Sequence, residues 1–106
     1  MQYSMFLDDL REPSKEYDVI VRSFEEAIEI ISKKGIPSHI SFDHDLGLDN
    51  ESQVEKNGYD VAKWVIEQVL DGVLEFPPNF SYNIHSANPV GAKNIDMLFR
   101  NYFEKI

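Results

Sequence analysis

Cysteine is absent from this 106-residue chain. That excludes disulfides and thiolate metal sites, and it fits a reducing compartment. Basic residues are scarce: 10 Lys and Arg stand against 19 Asp and Glu, for a net charge of −9. A field of that sign repels duplex nucleic acid, so broad binding along a phosphate backbone is not expected. It leaves room for a small phosphorylated ligand, or a single RNA end, held through a metal ion. No apolar run approaches the length of a membrane span. The N-terminus runs through Met5-Phe6-Leu7 into Asp8 with no basic start, which is not the pattern of a signal peptide. The expected location is the cytoplasm, with no membrane partner. Internal repeats and low-complexity linkers are also missing.

What is present suits one globular domain over residues 1–106. The hydrophobic fraction is 42%, enough for a single core in a chain of this length, with roughly two-thirds of its surface buried on folding. Tyr3 to Leu7 is a short apolar run stopped by two aspartates and reads as a buried strand. Arg11 to Tyr17, with Pro13, reads as a loop. Val19 to Val21 is β-branched and reads as a second strand. Ser23 with Glu26 has the spacing of a capping box, and Phe24, Ala27, Ile28 and Ile31 follow on one helical face. Lys33, Lys34 and Gly35 close that helix.

Ile40 to Phe42 is a third strand, followed by a polar loop from about Leu46 to Asn57. A second helix carries Val61, Ala62, Val65, Ile66, Val69 and Leu70, and Gly72 ends it. Phe80 to Ile84 is the fourth strand. Asn88 is an N-cap with Pro89 at the first helical position, and Ile95, Leu98, Phe99, Tyr102 and Phe103 give the last helix its apolar face. The order is β-β-α-β-α-β-α. Strands alternating with helices predict an α/β fold: a short, mainly parallel four-stranded sheet with right-handed crossovers and helices on both faces. Ligands of such sheets bind beyond the carboxyl ends of the strands.

Three of the strands end in polar clusters: Asp8-Asp9-Leu10-Arg11, Asp43-His44-Asp45 and His85-Ser86-Ala87-Asn88. Parallel strands bring all three to one edge. Each cluster alone is ordinary turn and cap chemistry; the coincidence of three points to a working site. Asp8, Asp9, Asp43 and Asp45 crowded together repel, and a hard cation is the usual relief, so Mg²⁺ or Mn²⁺ is the expected cofactor. Strand alternation favours Asp8 and Asp43 over both neighbours. His85, and His44 if it turns to the same side, are candidates for proton transfer near neutral pH, with Asp43 beside them. His39, at the start of its strand, is taken as structural. Ser86, Asn88 and Gly91 at the start of the last helix, together with Arg11, are candidate phosphate ligands. Trp64 and Tyr59 fall in the second helix as packing residues.

The segments Leu7-Asp8-Asp9-Leu10-Arg11-Glu12-Pro13, Phe42-Asp43-His44-Asp45-Leu46-Gly47 and His85-Ser86-Ala87-Asn88-Pro89 with Gly91 resemble the cyclic-phosphate-processing receiver-like domain family, over about residues 3 to 98. The resemblance implies a truncated receiver (flavodoxin-like) architecture and a role on cyclic phosphates, as cyclic nucleotides or RNA ends. It also implies that Asp8 and Asp9 match the metal-binding pair of response-regulator receivers. Asp43 then matches their phosphoacceptor and Ser86 their hydroxyl position. His44 and His85 have no counterpart in ordinary receivers. Departures from the receiver pattern weigh against phosphorelay signalling. A loop replaces the helix between the first two strands, and neither a fifth strand nor its lysine follows the last helix.

Three functions fit these residues. The leading one is a metal-assisted phosphoesterase acting on a cyclic phosphate. The second is a module that captures such a ligand, as a sensor or sponge, without turnover. The third is phosphotransfer through Asp43, whose Asp-x-Asp pattern with Asp45 also resembles haloacid-dehalogenase-type phosphatases, although there the motif ends the first strand.

Overall fold

The computed structural model describes residues 2–46 and 56–105. Most of the loop expected from Leu46 to Asn57 lies outside the described residues, and so does the acidic stretch Asp49 to Glu55. The elements are β1 (Ser4–Leu7), β2 (Val19–Val21), α1 (Phe24–Lys34), β3 (His39–Phe42), α2 (Gly58–Leu70), β4 (Ser81–Ile84) and α3 (Pro89–Glu104). The four strands form one sheet in the order β2-β1-β3-β4, and every neighbouring pair is parallel. Leu7 pairs with Val21 on one side and Phe42 on the other, and Phe42 pairs with Ile84. The carboxyl ends of β1, β3 and β4 are therefore level. No helix among the described residues is long and apolar enough to cross a membrane.

Local chemistry sets the helix starts. Ser23 accepts from the Glu26 N–H, but the reciprocal bond from Glu26 reaches the Arg22 N–H rather than that of Ser23. Asn57 and Asp60 make a full capping box at α2, and Asn88 caps α3 ahead of Pro89. Gly35 closes α1 at φ 86°, in the left-handed region that a side chain resists.

The helices depart from expectation in one respect: they do not sit on both faces. α1 packs on α2 and α2 on α3, forming a continuous layer on one side of the sheet. Ala27, Ile31, Val61, Val65, Ile95 and Phe99 of that layer join Met5, Leu7, Ile40 and Phe42 in a single core. Ile28 is not part of it; Ile30 packs there instead. The reason is topological. Right-handed crossovers from β2 to β3 and from β3 to β4 both travel the same way across the sheet and must lie on the same face. Only the β1–β2 connection travels the other way, and here it is the loop around Pro13.

The second face carries Ser4, Phe6, Ile20, His39, Ser41, Ser81 and Asn83 by strand alternation. Tyr17 from the loop covers part of it, with its ring centroid 5.2 Å from that of Phe6. Apart from Phe6 and Ile20 those strand residues are polar, and among the described residues no buried side-chain nitrogen or oxygen lacks a hydrogen-bond partner.

Candidate functional site

One residue past each strand end, the ladder continues. The Asp8 N–H donates to Val21 O, the Asp43 N–H to Leu7 O, and the His85 N–H to Phe42 O. Asp8, Asp43 and His85 thus stand in one row across β1, β3 and β4. Alternation aims their side chains toward the helix-free face.

Asp8 is 1% exposed. Its Oδ1 accepts from the N–H groups of Leu10 (2.9 Å) and Arg11 (2.8 Å), folding the chain into a tight turn, and its Oδ2 accepts from His85 Nε2 at 2.9 Å. Burial pushes its pKa up, but the Arg11 and Leu10 amides and His85 outweigh burial and hold it below the ordinary carboxylate value. Asp43, also buried, moves the opposite way. Burial and the charge of Asp8 raise its pKa, only partly opposed by the Ser86 hydroxyl, His85 and Arg11. Carboxylate oxygens of Asp8, Asp9 and Asp43 lie within 4.8 Å of one another. A shallow cleft of about 320 Å³ opens over them, lined also by Leu10, Arg11, Asp45 and Ala87.

Arg11 and His85 close the cluster from the β4 side. Arg11 Nη1 donates to the His85 carbonyl at 2.9 Å, and the same nitrogen stands 3.8 Å from Asp8 Oδ2. The His85 ring stacks on Phe6, centroids 4.6 Å apart and planes within 7°. Its Nδ1 meets Ser41 Oγ at 2.7 Å. Both ring nitrogens are therefore engaged.

The structure brings Asp8, Asp9, Asp43, Arg11, Ser86 and His85 together and leaves other candidates apart. His44 follows Asp43 by one residue and so turns to the helix side. Its Nδ1 meets Asp45 Oδ1 at 2.9 Å. Its ring lies against Gly91, where a Cβ would run into it. It lines a separate cleft with Asn57 and Asn94, so the geometry does not place it among the proton-transfer groups of the acidic edge. Gly91 allows a close approach, as expected, but what approaches is His44; its N–H donates to Asn88 Oδ1. The Asn88 side chain is thereby used as a cap, and Ser86 Oγ accepts from the Asn88 N–H at 3.0 Å. Asp45 reaches the cleft rim, but it is not one of the three clustered carboxylates.

Three contributors were not foreseen. Arg22 donates from Nη1 to the carbonyls of Asp8 (3.2 Å) and Arg11 (2.6 Å) and pairs through Nη2 with Glu12, bracing the turn that shapes Asp8. Gly58 sits so close to the Asp43 carbonyl that a Cβ there would overlap it. Ser41 holds His85. For Ser41 a signal existed: a hydroxyl inside the apolar run Ile40-Ser41-Phe42.

Residues 3–101 match the sequence model of the cyclic-phosphate processing receiver domain. The chain belongs to that family. No curated protein and no solved structure matches it. Membership associates the domain with cyclic-phosphate processing, and the matched segment spans every element from β1 through most of α3.

Proposed function

We propose that this domain hydrolyses a cyclic phosphodiester, either a cyclic nucleotide or the 2′,3′-cyclic phosphate of an RNA end, with help from a divalent cation at Asp8, Asp9 and Asp43. The observation that carries this reading is the convergence of three carboxylate oxygens within 4.8 Å, at an edge where Asp43 is already pushed toward protonation by burial and by Asp8. An all-oxygen, strongly anionic donor set of this kind suits Mg²⁺ or Mn²⁺. When bound, such an ion supplies Lewis-acid polarisation of the phosphoryl oxygens.

The chain's own groups do the rest. Arg11, half exposed and tethered by one nitrogen to the His85 carbonyl, offers its remaining N–H groups to a phosphate oxygen. The Ser86 hydroxyl stands beside Asp43 as a further donor. Water adds to phosphorus and one ring P–O bond breaks. His85, with a proton at Nε2 one hydrogen bond from the cluster, gives that proton to the leaving ring oxygen and takes one in return from the attacking water.

A capture module is the second reading, and one observation favours it: both His85 nitrogens and the Asn88 side chain already have partners within the protein. A panel of 2′,3′- and 3′,5′-cyclic nucleotides with Mg²⁺ or Mn²⁺, followed by phosphorus NMR, separates the two. Hydrolysis that falls about 10²–10⁴-fold in His85→Ala supports the enzyme. Ligand bound and recovered unchanged replaces the enzyme with the module.

A further inference from the structure

His39, taken as structural from the sequence, is tied to the site by an unbroken run of side-chain hydrogen bonds across the helix-free face. Ser81 Oγ meets His39 Nδ1 at 2.7 Å, and His39 Nε2 meets Asn83 Oδ1 at 2.7 Å. Asn83 Nδ2 meets Ser41 Oγ at 3.0 Å, Ser41 Oγ meets His85 Nδ1 at 2.7 Å, and His85 Nε2 meets Asp8 Oδ2 at 2.9 Å. The run starts in the row of His39 and Ser81, near the amino end of the sheet. It passes through the row of Ser41 and Asn83 and ends at the carboxyl edge.

With the His85 ring neutral, the direction of every bond follows from its last acceptor. The ionised Asp8 carboxylate can only accept, so His85 Nε2 carries a hydrogen. A neutral ring has no second hydrogen, so Nδ1 accepts, and the Ser41 hydroxyl must donate to it. Ser41 has then spent its only hydrogen, so Asn83 must present its NH₂ to Ser41 Oγ. That orientation leaves Asn83 Oδ1 facing His39, whose Nε2 must donate, and His39 Nδ1 accepts from Ser81. Five donors in succession point at Asp8, an arrangement in which each bond polarises the next. Phe6, stacked on His85, and Tyr17, whose ring centroid lies 6.3 Å from that of His39, keep both rings flat against this line.

We propose that Ser41, oriented by Asn83 and through it by His39, is a positioning residue that holds the His85 imidazole in one tautomer, with Nδ1 accepting and Nε2–H given to Asp8. The consequence for turnover rests on the phosphoesterase reading, but the chain itself does not, and it can be read with no substrate present.

The experiment is nitrogen NMR of the histidine rings in the full, uniformly ¹⁵N-labelled chain, at about pH 8, where an ordinary imidazole is neutral. The chain has three histidines, and His39→Gln and His44→Gln spectra assign them. His85 is expected to show a protonated Nε2 and a hydrogen-bonded, unprotonated Nδ1. Asn83→Asp, nearly isosteric and at an exposed position, removes the donor to Ser41 Oγ found among the described residues and substitutes an acceptor. The Ser41 hydroxyl then turns to the new carboxylate, and His85 Nδ1 loses its donor, moving its signal to that of a free acceptor. Ser41→Ala should shift Nδ1 to the value of a free acceptor, and Ser41→Thr should restore it. If turnover is found, Ser41→Ala should lower it about 10–100-fold, the usual cost of removing a group that orients a site residue, and Ser41→Thr should recover most of it. A wild-type His85 protonated at Nδ1 and bare at Nε2, or an Asn83→Asp spectrum with Nδ1 unchanged, overturns the proposal. Absence of cyclic-phosphate turnover with the spectra as expected overturns the enzyme reading and leaves the positioning chain standing.

Discussion

The two faces of the sheet are built on different physics. On the helix side, Met5, Leu7, Ile40, Phe42, Ile95 and Phe99 are fully buried, and stability there comes from apolar area and close packing, which are indifferent to direction. On the other side, a row of polar residues is ordered by hydrogen bonds whose donors and acceptors must alternate correctly. The first face makes the domain fold; the second points side chains at Asp8. Losses on the helix side should therefore appear as stability, and changes on the other side as altered site chemistry at little cost in folding.

The largest expected effect is Phe99→Ala. Phe99 is 0% exposed, with its ring centroid 4.6 Å from Tyr82 and 5.6 Å from Phe42. Urea unfolding should show a loss of about 3–5 kcal/mol. A loss below about 1 kcal/mol would mean that the core lies elsewhere.

Asp43→Asn should give a smaller change of the opposite sign. The folded pKa of Asp43 is raised, first by burial and then by Asp8. A raised carboxylate pKa means that the folded state holds the proton more tightly than the unfolded chain does. The penalty is absent below the unfolded value, grows as pH rises toward the folded value, and is complete above it. Metal-free Asp43→Asn protein should accordingly melt above wild type at neutral pH, with the gap closing as pH falls to the ordinary carboxylate range. Asp8 works the other way: its lowered pKa contributes stability above the unfolded value, which is lost as pH falls through the folded value. Melting curves across pH check both signs, and a gap that widens on acidification would reverse the assignment.

The smallest expected effect is Ile20→Thr. Ile20 is 40% exposed on the helix-free face, and thermal melts should move by no more than about 0.5 kcal/mol in equivalent stability. A larger loss would show that something covers that face in solution.

Much of this was legible in the sequence, because apolar period and cap chemistry are local. Val19 to Val21, Ser23, Gly35, Asn88 and Pro89 announce their elements without tertiary information. The three polar clusters announce the acidic edge, since parallel strands leave their ends no other place. What was not legible depends on which side of a strand faces helices. That decides that His44 leans on Gly91 while Asp43 and His85 turn to the opposite face. It also decides that Ser41, marked only as a hydroxyl in an apolar run, and Asn83 share a row whose hydrogen bonds reach His85. Arg22 is invisible for another reason: its partners are the carbonyls of Asp8 and Arg11, and any residue type supplies a carbonyl.

The continuation of the ladder through Asp8, Asp43 and His85 bears on motion. Their amide hydrogens are donated to Val21, Leu7 and Phe42, so exposing any of them to solvent exchange requires the strands to part. Protection at Asp43, on the central seam between β1 and β3, should therefore follow opening of the sheet itself, whereas Asp8 and His85 are released when the edge strands β2 and β4 detach. The anionic side of the cleft is in that sense a fixed wall.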